Sequence, residues 1–359
     1  MFTEQTPLPV RRRFSLEQAL RKADHMSNTS GCTNFDILLD THDVLVADGA
    51  MGTALFELGL QSGGCPELLN VEQPDLIAKV HRGYVEAGAD VILTNTFGGN
   101  RSRLALHKLA DRVAELNRAA VDVARQVAAS VERPIAIAGS IGPTGDLFEP
   151  LGPLTHEVGV EIFSEQAAAL IDEGVDVLWI ETISSTEELK AATEACSGRG
   201  VPVVATLSFD TNGHTMMGIA PQAFAEWWTG SPSRPTAIGA NCGVGPSDVV
   251  QAAGAIRSSA PGAIVIAKGN CGIPLYKDEA LTYPSGPEDM VAYTELAVRS
   301  GARIVGACCG SGFDHIAAIR RTVDAGIEGP VPESSEIAER LGEVSAPRTA
   351  PDRQRRRRQ

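Results

Sequence analysis

Short apolar runs recur along the chain, and stretches with the spacing of an amphipathic helix separate each run from the next. The eight runs lie at 44–47, 91–94, 135–139, 177–181, 203–207, 237–241, 264–268 and 304–307. Because they are apolar at nearly every position, they predict strands covered on both faces, as in a parallel sheet between helices. Eight strands alternating with helices over roughly 285 residues favour a single-domain (β/α)8 TIM barrel, an α/β fold.

An open doubly wound sheet is the alternative for this alternation of strands and helices. The turn after the first run reads Asp48-Gly-Ala-Met-Gly-Thr. Its glycines lack the Gly-x-Gly-x-x-Gly spacing of a dinucleotide-binding turn, so the closed barrel is favoured. In such a barrel the active site forms at the C-terminal ends of the strands. The residues directly after each apolar run are therefore the candidate functional residues.

Both ends of the chain are polar and lack this pattern. They predict a flexible N-terminal extension over 1–36, a barrel over 37–331 and a disordered arginine-rich tail over 332–359, which ends in Arg355–Arg358. Of the 359 residues, 43% are hydrophobic and 21% are charged, as expected of an ordinary globular protein. The formal net charge of −14 argues against a nucleic-acid-binding surface.

Charged residues interrupt every long apolar stretch, so the sequence predicts no membrane span. Arg11–Arg13 precede a polar segment rather than the apolar core of a signal peptide, which predicts a cytoplasmic location. Seven cysteines in such a chain are too few for a disulfide scaffold and predict reduced thiols. Their positions are therefore more informative than their number.

Three cysteines fall at predicted strand ends. Cys242 follows the sixth run, and Cys308 and Cys309 follow the eighth. Three thiolates at one rim could bind Zn²⁺ and leave its fourth position open, which is the pattern of a catalytic zinc site. The alternatives are three buried free thiols or a strained disulfide between the adjacent pair. Cys271 is expected to be buried and not to act as a ligand.

Seven segments occur in order and carry a resemblance to a known family: Asp48-Gly-Ala-Met-Gly-Thr, Thr94-Asn-Thr-Phe, Ser140-Ile-Gly-Pro-Thr-Gly, Glu181-Thr, Gly239-Ala-Asn-Cys-Gly, Lys268-Gly-Asn and Gly306-Ala-Cys-Cys-Gly. Over about residues 43–325 the chain resembles the homocysteine S-methyltransferase family. It is most similar to the bacterial single-domain betaine–homocysteine methyltransferases. The resemblance implies a zinc-dependent enzyme that transfers a methyl group to the thiolate of homocysteine and forms methionine.

The resemblance also implies roles for individual residues. The catalytic and metal-binding thiols would be Cys242, Cys308 and Cys309, and the substrate contacts would be Asp48, Gly49, Thr94, Asn95, Glu181 and Asn270. Carboxylates suit the α-ammonium of homocysteine, so Asp48 and Glu181 are expected there. The alternatives are a helix cap for Asp48 and a buried ion pair for Glu181. The Asn270 side-chain oxygen is expected at the fourth zinc position until substrate arrives.

Betaine is the expected methyl donor, and aromatic rings are the usual partners of its quaternary ammonium. The candidate rings are those of Phe97, Phe148, Trp179, Phe209 and Tyr276. The animal betaine enzymes carry tyrosines at the positions of Gly98 and Thr182, so other donors stay open: S-methylmethionine, dimethylsulfoniopropionate or a methylcorrinoid protein. A further alternative is a non-catalytic barrel that binds zinc and thiols. The sequence leaves the oligomeric state open.

Overall fold

Eight parallel strands pair side by side in a computed structural model of the protein, which describes residues 32–61, 63–277 and 280–343. In chain order they are β1 Leu45–Val46, β2 Val91–Leu93, β3 Ala136–Ile141, β4 Val177–Ile183, β5 Val203–Leu207, β6 Ala237–Cys242, β7 Ile264–Gly269 and β8 Ala302–Ala307. Neighbours in the chain are neighbours in the sheet, and β8 pairs with β1. A parallel bridge between Ala47 and Val91 joins β1 to β2. The predicted (β/α)8 barrel is confirmed.

Helices surround the barrel: Asn34–Thr41, Met51–Glu57, Leu69–Glu72, Pro74–Glu86, Arg101–Ala105, Val113–Ala128, His156–Glu173, Thr186–Cys196, Pro221–Gly230, Pro246–Ser259, Asp289–Arg299, Phe313–Ala325 and Ser334–Leu341. Two 3₁₀ turns lie at Pro66–Leu68 and Ala110–Arg112, and an antiparallel hairpin pairs Leu275–Lys277 with Ala280–Thr282. Among the described residues, none of these helices has the length and apolar character needed to cross a membrane.

Local sequence signals account for the helix ends. The helix His156–Glu173 begins after Thr155, whose side chain accepts a hydrogen bond from the backbone N–H of Val158. It ends at Gly174, where a φ of 93° reverses the chain toward β4. Glycine adopts this left-handed conformation without the steric cost of a Cβ atom. Strand β4 therefore starts within three residues of the helix end.

The helix Asn34–Thr41 covers the N-terminal ends of the strands. Phe35 and Leu38 pack into the same apolar cluster as the first residues of several strands, such as Val177 and Ala237. The Asp176 carboxylate accepts hydrogen bonds from the backbone N–H groups of Asn34 and Ile137, at 3.0 and 2.8 Å. This helix begins inside the segment 1–36 for which the sequence predicted an extension. Residues 1–31 lie outside the described part of the chain.

The helix Ser334–Leu341 differs from the prediction of a disordered tail over 332–359. It forms because Ile337 is buried against the main core and because Arg299 makes two hydrogen bonds to Glu336, of 2.6 and 2.8 Å. These contacts come from distant parts of the chain and have no local sequence signature. Residues 344–359, including the run Arg355–Arg358, lie outside the described residues.

Candidate functional site

Three thiols meet at the C-terminal end of the barrel. Cys242 is the last residue of β6, and Cys308 and Cys309 directly follow β8. Their sulfur atoms all lie within 4.8 Å of one another, and those of Cys242 and Cys309 are 3.8 Å apart. Within the described residues no other group of three or more His, Cys, Asp and Glu side chains is close enough to hold a metal ion. Strand β7 lies between β6 and β8 in the sheet.

The backbone around the thiols adopts an uncommon conformation. Cys242 has a φ of 61° and Thr182, at the end of β4, a φ of 62°, both in the left-handed region that costs non-glycine residues free energy. Asn241 fixes this arrangement. Its Oδ1 accepts from the N–H of Thr182 at 2.9 Å, and its Nδ2 donates to the Thr182 hydroxyl at 2.7 Å. The same Nδ2 lies 4.0 Å from the Cys308 sulfur. The ends of β4, β6 and β8 are therefore connected by one buried amide.

The donor set fits a zinc ion. Three sulfur ligands are the type that Zn²⁺ prefers, and a three-ligand site leaves one position for a substrate. Asn270, one residue beyond β7, donates from Nδ2 to the carbonyl of Gly243 at 2.8 Å. Its Oδ1 is buried and has no hydrogen-bond partner among the described residues. A buried acceptor without a partner, close to the turn after Cys242, is suited to coordinate a bound ion or to accept a hydrogen bond from a ligand.

Hydrogen bonds and charge make the three thiols unequal. Hydrogen bonds with the Cys242 and Cys309 thiols hold the pKa of Cys308 well below its usual range, with help from the Lys268 charge. The same hydrogen bond to Cys308 raises the pKa of Cys242. Burial raises the pKa of the neighbouring Cys271 to about 12, so this thiol stays protonated and outside the cluster.

A buried charged group lies next to the thiols. Asp48 follows β1, Glu181 belongs to β4 and Lys268 belongs to β7. The Lys268 ammonium is 2.9 Å from Asp48 Oδ1, and both side chains are only 3% exposed. Ser140 donates to Glu181 Oε1 at 2.6 Å. Lys268 also lies over the ring of Trp179, 5.5 Å from its centroid.

Burial dominates the protonation of these groups. It raises the pKa of Glu181 to about 7, and it raises the pKa of Asp48 despite the nearby Lys268. Burial alone would lower the pKa of Lys268, but the charges of Asp48 and Glu181 raise it above its usual value. Lys268 therefore stays protonated inside the barrel, below the thiols. The sequence motif contained this lysine, but its role was not predicted.

The structure assigns different surroundings to the predicted substrate contacts. Asp48 is not a helix cap, because the helix Met51–Glu57 starts after Ala50 and has no side-chain cap. A Cβ atom on Gly49 would lie 2.5 Å from the Ser311 Oγ, so glycine allows the β1 turn to pack against the β8 turn. The Ser311 hydroxyl accepts from the N–H of Ala50 and donates to the carbonyl of Cys308.

Thr94 and Asn95 make contacts that organise loops. The Thr94 hydroxyl pairs with that of Thr96 at 2.7 Å and accepts from the N–H of Ser140 at 3.1 Å. The Asn95 Nδ2 donates to the carbonyl of Pro66 at 2.7 Å and to Asn70 Oδ1 at 2.9 Å. The structure therefore brings together the three thiols, Asp48, Glu181 and Asn270, while the Asn95 amide nitrogen is engaged with the 66–70 segment.

The predicted aromatic candidates are mostly buried. Phe148, Trp179 and Phe209 belong to the core, whereas Phe97 is 39% exposed and its ring covers Gly142. The side chain of Tyr276 lies outside the described part.

Sequence reasoning missed Tyr283, which follows the hairpin after β7. Its ring contacts Gly310, next to Cys309. Burial and the charges of the neighbouring thiols raise the pKa of its phenol. Its place in the loop after β7 was the only available signal.

Comparison with known proteins identifies relatives of the whole barrel. The sequence profile of the homocysteine S-methyltransferase family matches residues 45–323. A methionine synthase of Mycobacterium leprae (strain TN) is 32% identical over 305 residues, which are 80% of this chain and 25% of that protein. One of Mycobacterium tuberculosis (strain ATCC 25618 / H37Rv) is 32% identical over 303 residues, with the same two shares. The chain spans about a quarter of the length of these curated relatives.

Solved structures agree with this relationship. The homocysteine methyltransferase MmuM from Escherichia coli, in its metallated form, has a TM-score of 0.69 and 23% identity, with 80% of this chain and 99% of that chain covered. The oxidised form has a TM-score of 0.66 and 25% identity, with 79% and 97% covered.

Proposed function

The chain belongs to the homocysteine S-methyltransferase family, and we propose that it transfers a methyl group from betaine to the thiolate of homocysteine at a zinc ion, forming methionine. The observation that carries this proposal is the convergence of Cys242, Cys308 and Cys309 within 4.8 Å at the active-site end of the barrel. These residues would hold Zn²⁺, which when bound lowers the pKa of a coordinated thiol and leaves its sulfur nucleophilic.

The other residues would bind and orient the amino acid. Glu181 accepts a charge-assisted hydrogen bond from the α-ammonium of the substrate. Ser140 holds the Glu181 carboxylate in place. Asn270 offers its unpartnered Oδ1 close to the thiol turn. Asn241 keeps the ends of β4 and β8 at a fixed separation, so that the ammonium site and the thiols are preorganised. Thr94 and Gly49 support the walls of the site, and Asn95 supports them through the 66–70 segment.

A cationic donor is consistent with the aromatic side chains at this end of the barrel. Phe97 is partly exposed after β2, and the Tyr283 ring packs on Gly310, next to Cys309. Aromatic rings are the usual partners of a quaternary ammonium. A second candidate donor is a sulfonium, S-methylmethionine or dimethylsulfoniopropionate. It is favoured by Gly98 and Thr182, which replace the tyrosines of the animal betaine enzymes. A methylcorrinoid protein is the third.

Methionine formation tests these possibilities directly. The full chain, loaded with zinc, is incubated with homocysteine and separately with betaine, S-methylmethionine, dimethylsulfoniopropionate or methylcobalamin. We expect turnover with betaine. Turnover with only one of the other donors would support the zinc chemistry and would refute betaine as the donor. Zinc and homocysteine binding without methionine from any donor would instead indicate a non-catalytic thiol-binding barrel.

Cysteine variants test the metal centre. Each of Cys242→Ser, Cys308→Ser and Cys309→Ser is expected to lose bound zinc and turnover, because two sulfurs cannot hold the ion as three do. Cys271→Ala is the matched control, since this buried thiol is a neighbour of the cluster but not a member. Zinc stoichiometry is measured by atomic absorption. Stoichiometric zinc in the three serine variants would contradict the assignment.

A further inference from the structure

The two carboxylates of the site are not equivalent. Both oxygens of Asp48 are engaged inside the protein: Oδ2 accepts from the backbone N–H of Leu93 at 2.7 Å, and Oδ1 accepts from Lys268 at 2.9 Å. Glu181 receives a hydrogen bond only from Ser140 among the described residues, and only at Oε1. Glu181 is also the more exposed of the two, at 8% against 2%. A ligand therefore finds an available carboxylate oxygen at Glu181 and not at Asp48.

Lys268 determines this difference. Its ammonium is held between Asp48 and the face of the Trp179 ring, and Trp179 is completely buried inside the barrel. A buried lysine is stable only when a carboxylate compensates its charge. Asp48 is fixed on its other side by Leu93 N–H, so it cannot turn away from the lysine without leaving that backbone group unpaired.

From this arrangement we infer that Lys268 and Asp48 form an internal ion pair, so that the α-ammonium of the substrate binds the carboxylate that keeps a free oxygen, Glu181. The inference rests on the proposed function, because it takes an amino-acid thiol as the ligand. Lys268 is a positioning residue here, because its bond to Asp48 Oδ1 holds that carboxylate away from the substrate. Asp48 keeps the lysine occupied and does not contact the ammonium.

The pair predicts a non-additive result. In Asp48→Asn the lysine loses its partner, and the remaining carboxylate of the group is Glu181, whose charge also acts on Lys268. Lys268 would then compete with the substrate ammonium for Glu181. In the double variant Asp48→Asn/Lys268→Met both charges of the pair are removed together, so the charge available at Glu181 is restored.

Binding measurements separate direct from indirect roles. The zinc-loaded full chain and its variants are titrated calorimetrically with homocysteine and with 4-sulfanylbutanoate, which lacks the amino group. We expect Asp48→Asn to weaken homocysteine binding by about tenfold or more and to abolish the preference for homocysteine over 4-sulfanylbutanoate. The double variant should recover most of both. Glu181→Gln should lose the preference in every background.

The outcomes are distinct. A double variant that binds homocysteine no better than Asp48→Asn would overturn the inference, because it would place Asp48 in direct contact with the ammonium. Lys268→Met alone is the second variant if the double variant does not fold, as judged by circular dichroism. The Lys268→Met variant should still prefer homocysteine to 4-sulfanylbutanoate. Loss of this preference would equally overturn the inference.

Glu188→Gln is the matched control, because Glu188 is a buried carboxylate that is bound by Thr144 and lies outside this group. The Glu188→Gln variant should prefer homocysteine as strongly as the wild type does. Wild-type protein that binds zinc but not homocysteine would instead refute the proposed function.

Discussion

Acid sensitivity of the barrel is expected to arise at His81. This residue lies on the helix Pro74–Glu86, is completely buried, and neither ring nitrogen has a hydrogen-bond partner among the described residues. Burial alone lowers the pKa of His81 from 6.5 to about 4. The folded protein therefore keeps the imidazole neutral at pH values where the unfolded chain already carries a proton on it.

The sign and size of the effect follow from proton linkage. Below pH 6.5 the unfolded state binds a proton that the folded state does not bind until about pH 4, so stability falls as the pH decreases through this window. The slope is about 1.4 kcal/mol per pH unit. Between pH 7 and pH 5 the contribution of His81 to the free energy of unfolding falls by about 2 kcal/mol. Above pH 7 the contribution is nearly constant.

Urea unfolding at pH 7 and pH 5 measures this contribution. His81→Leu should reduce the loss of stability between the two pH values by about 2 kcal/mol, because it replaces the titrating ring by an apolar side chain of similar size. The exposed His107 is the matched control, and His107→Leu should leave the loss unchanged. An equal pH dependence in wild type and His81→Leu would show that burial of this ring does not control the acid response.

Three further changes have defined outcomes. Gly49→Ala should destabilise the protein by about 1–3 kcal/mol in thermal or urea unfolding, because its Cβ would lie 2.5 Å from the Ser311 Oγ and 2.9 Å from the Tyr84 ring; unchanged stability would contradict the close approach. Asn241→Ala should cost a similar amount and weaken zinc binding in a chelator competition, because the Thr182 N–H loses its acceptor; an unchanged zinc affinity would separate this amide from the thiol cluster. Dialysis against a strong chelator should abolish methionine formation, and added Zn²⁺ should restore it; full turnover without zinc would refute the metal mechanism.

The convergence of the thiols could be predicted because barrel closure constrains the strand ends. Cys242 and Cys309 are 67 positions apart, yet each belongs to the end of an apolar run. Once eight runs of this kind are assigned to one parallel barrel, their C-terminal ends must share a rim. The observed strands lie within a few residues of the predicted runs, for example β5 at Val203–Leu207. The fold and the thiol cluster therefore follow from a repeated local pattern.

Side-chain partners could not be predicted in the same way. Asn95 belongs to a family motif, but the fold directs its amide nitrogen to Pro66 and Asn70. Lys268 interrupts an apolar strand and becomes an internal counter-ion only because Asp48 and Trp179 reach it from β1 and β4. Each of these outcomes depends on contacts between strands that are distant in the sequence. Strand periodicity assigns a residue to a face of the barrel but does not choose its partner.

Two residues with a left-handed backbone conformation show that the position of a residue at a strand end does not by itself define the site. Thr182 and Cys242 adopt positive φ values, which are uncommon for residues other than glycine. No local sequence signal at either position indicates this conformation. The cost is offset by the two hydrogen bonds between Asn241 and Thr182, which form only when β4 and β6 are already in place. Folding of the barrel thus stabilises a backbone that the isolated segments would avoid. A backbone held in this way keeps Cys242 and Glu181 at a fixed separation before any ligand binds, which the proposed binding of an amino-acid thiol beside a metal requires.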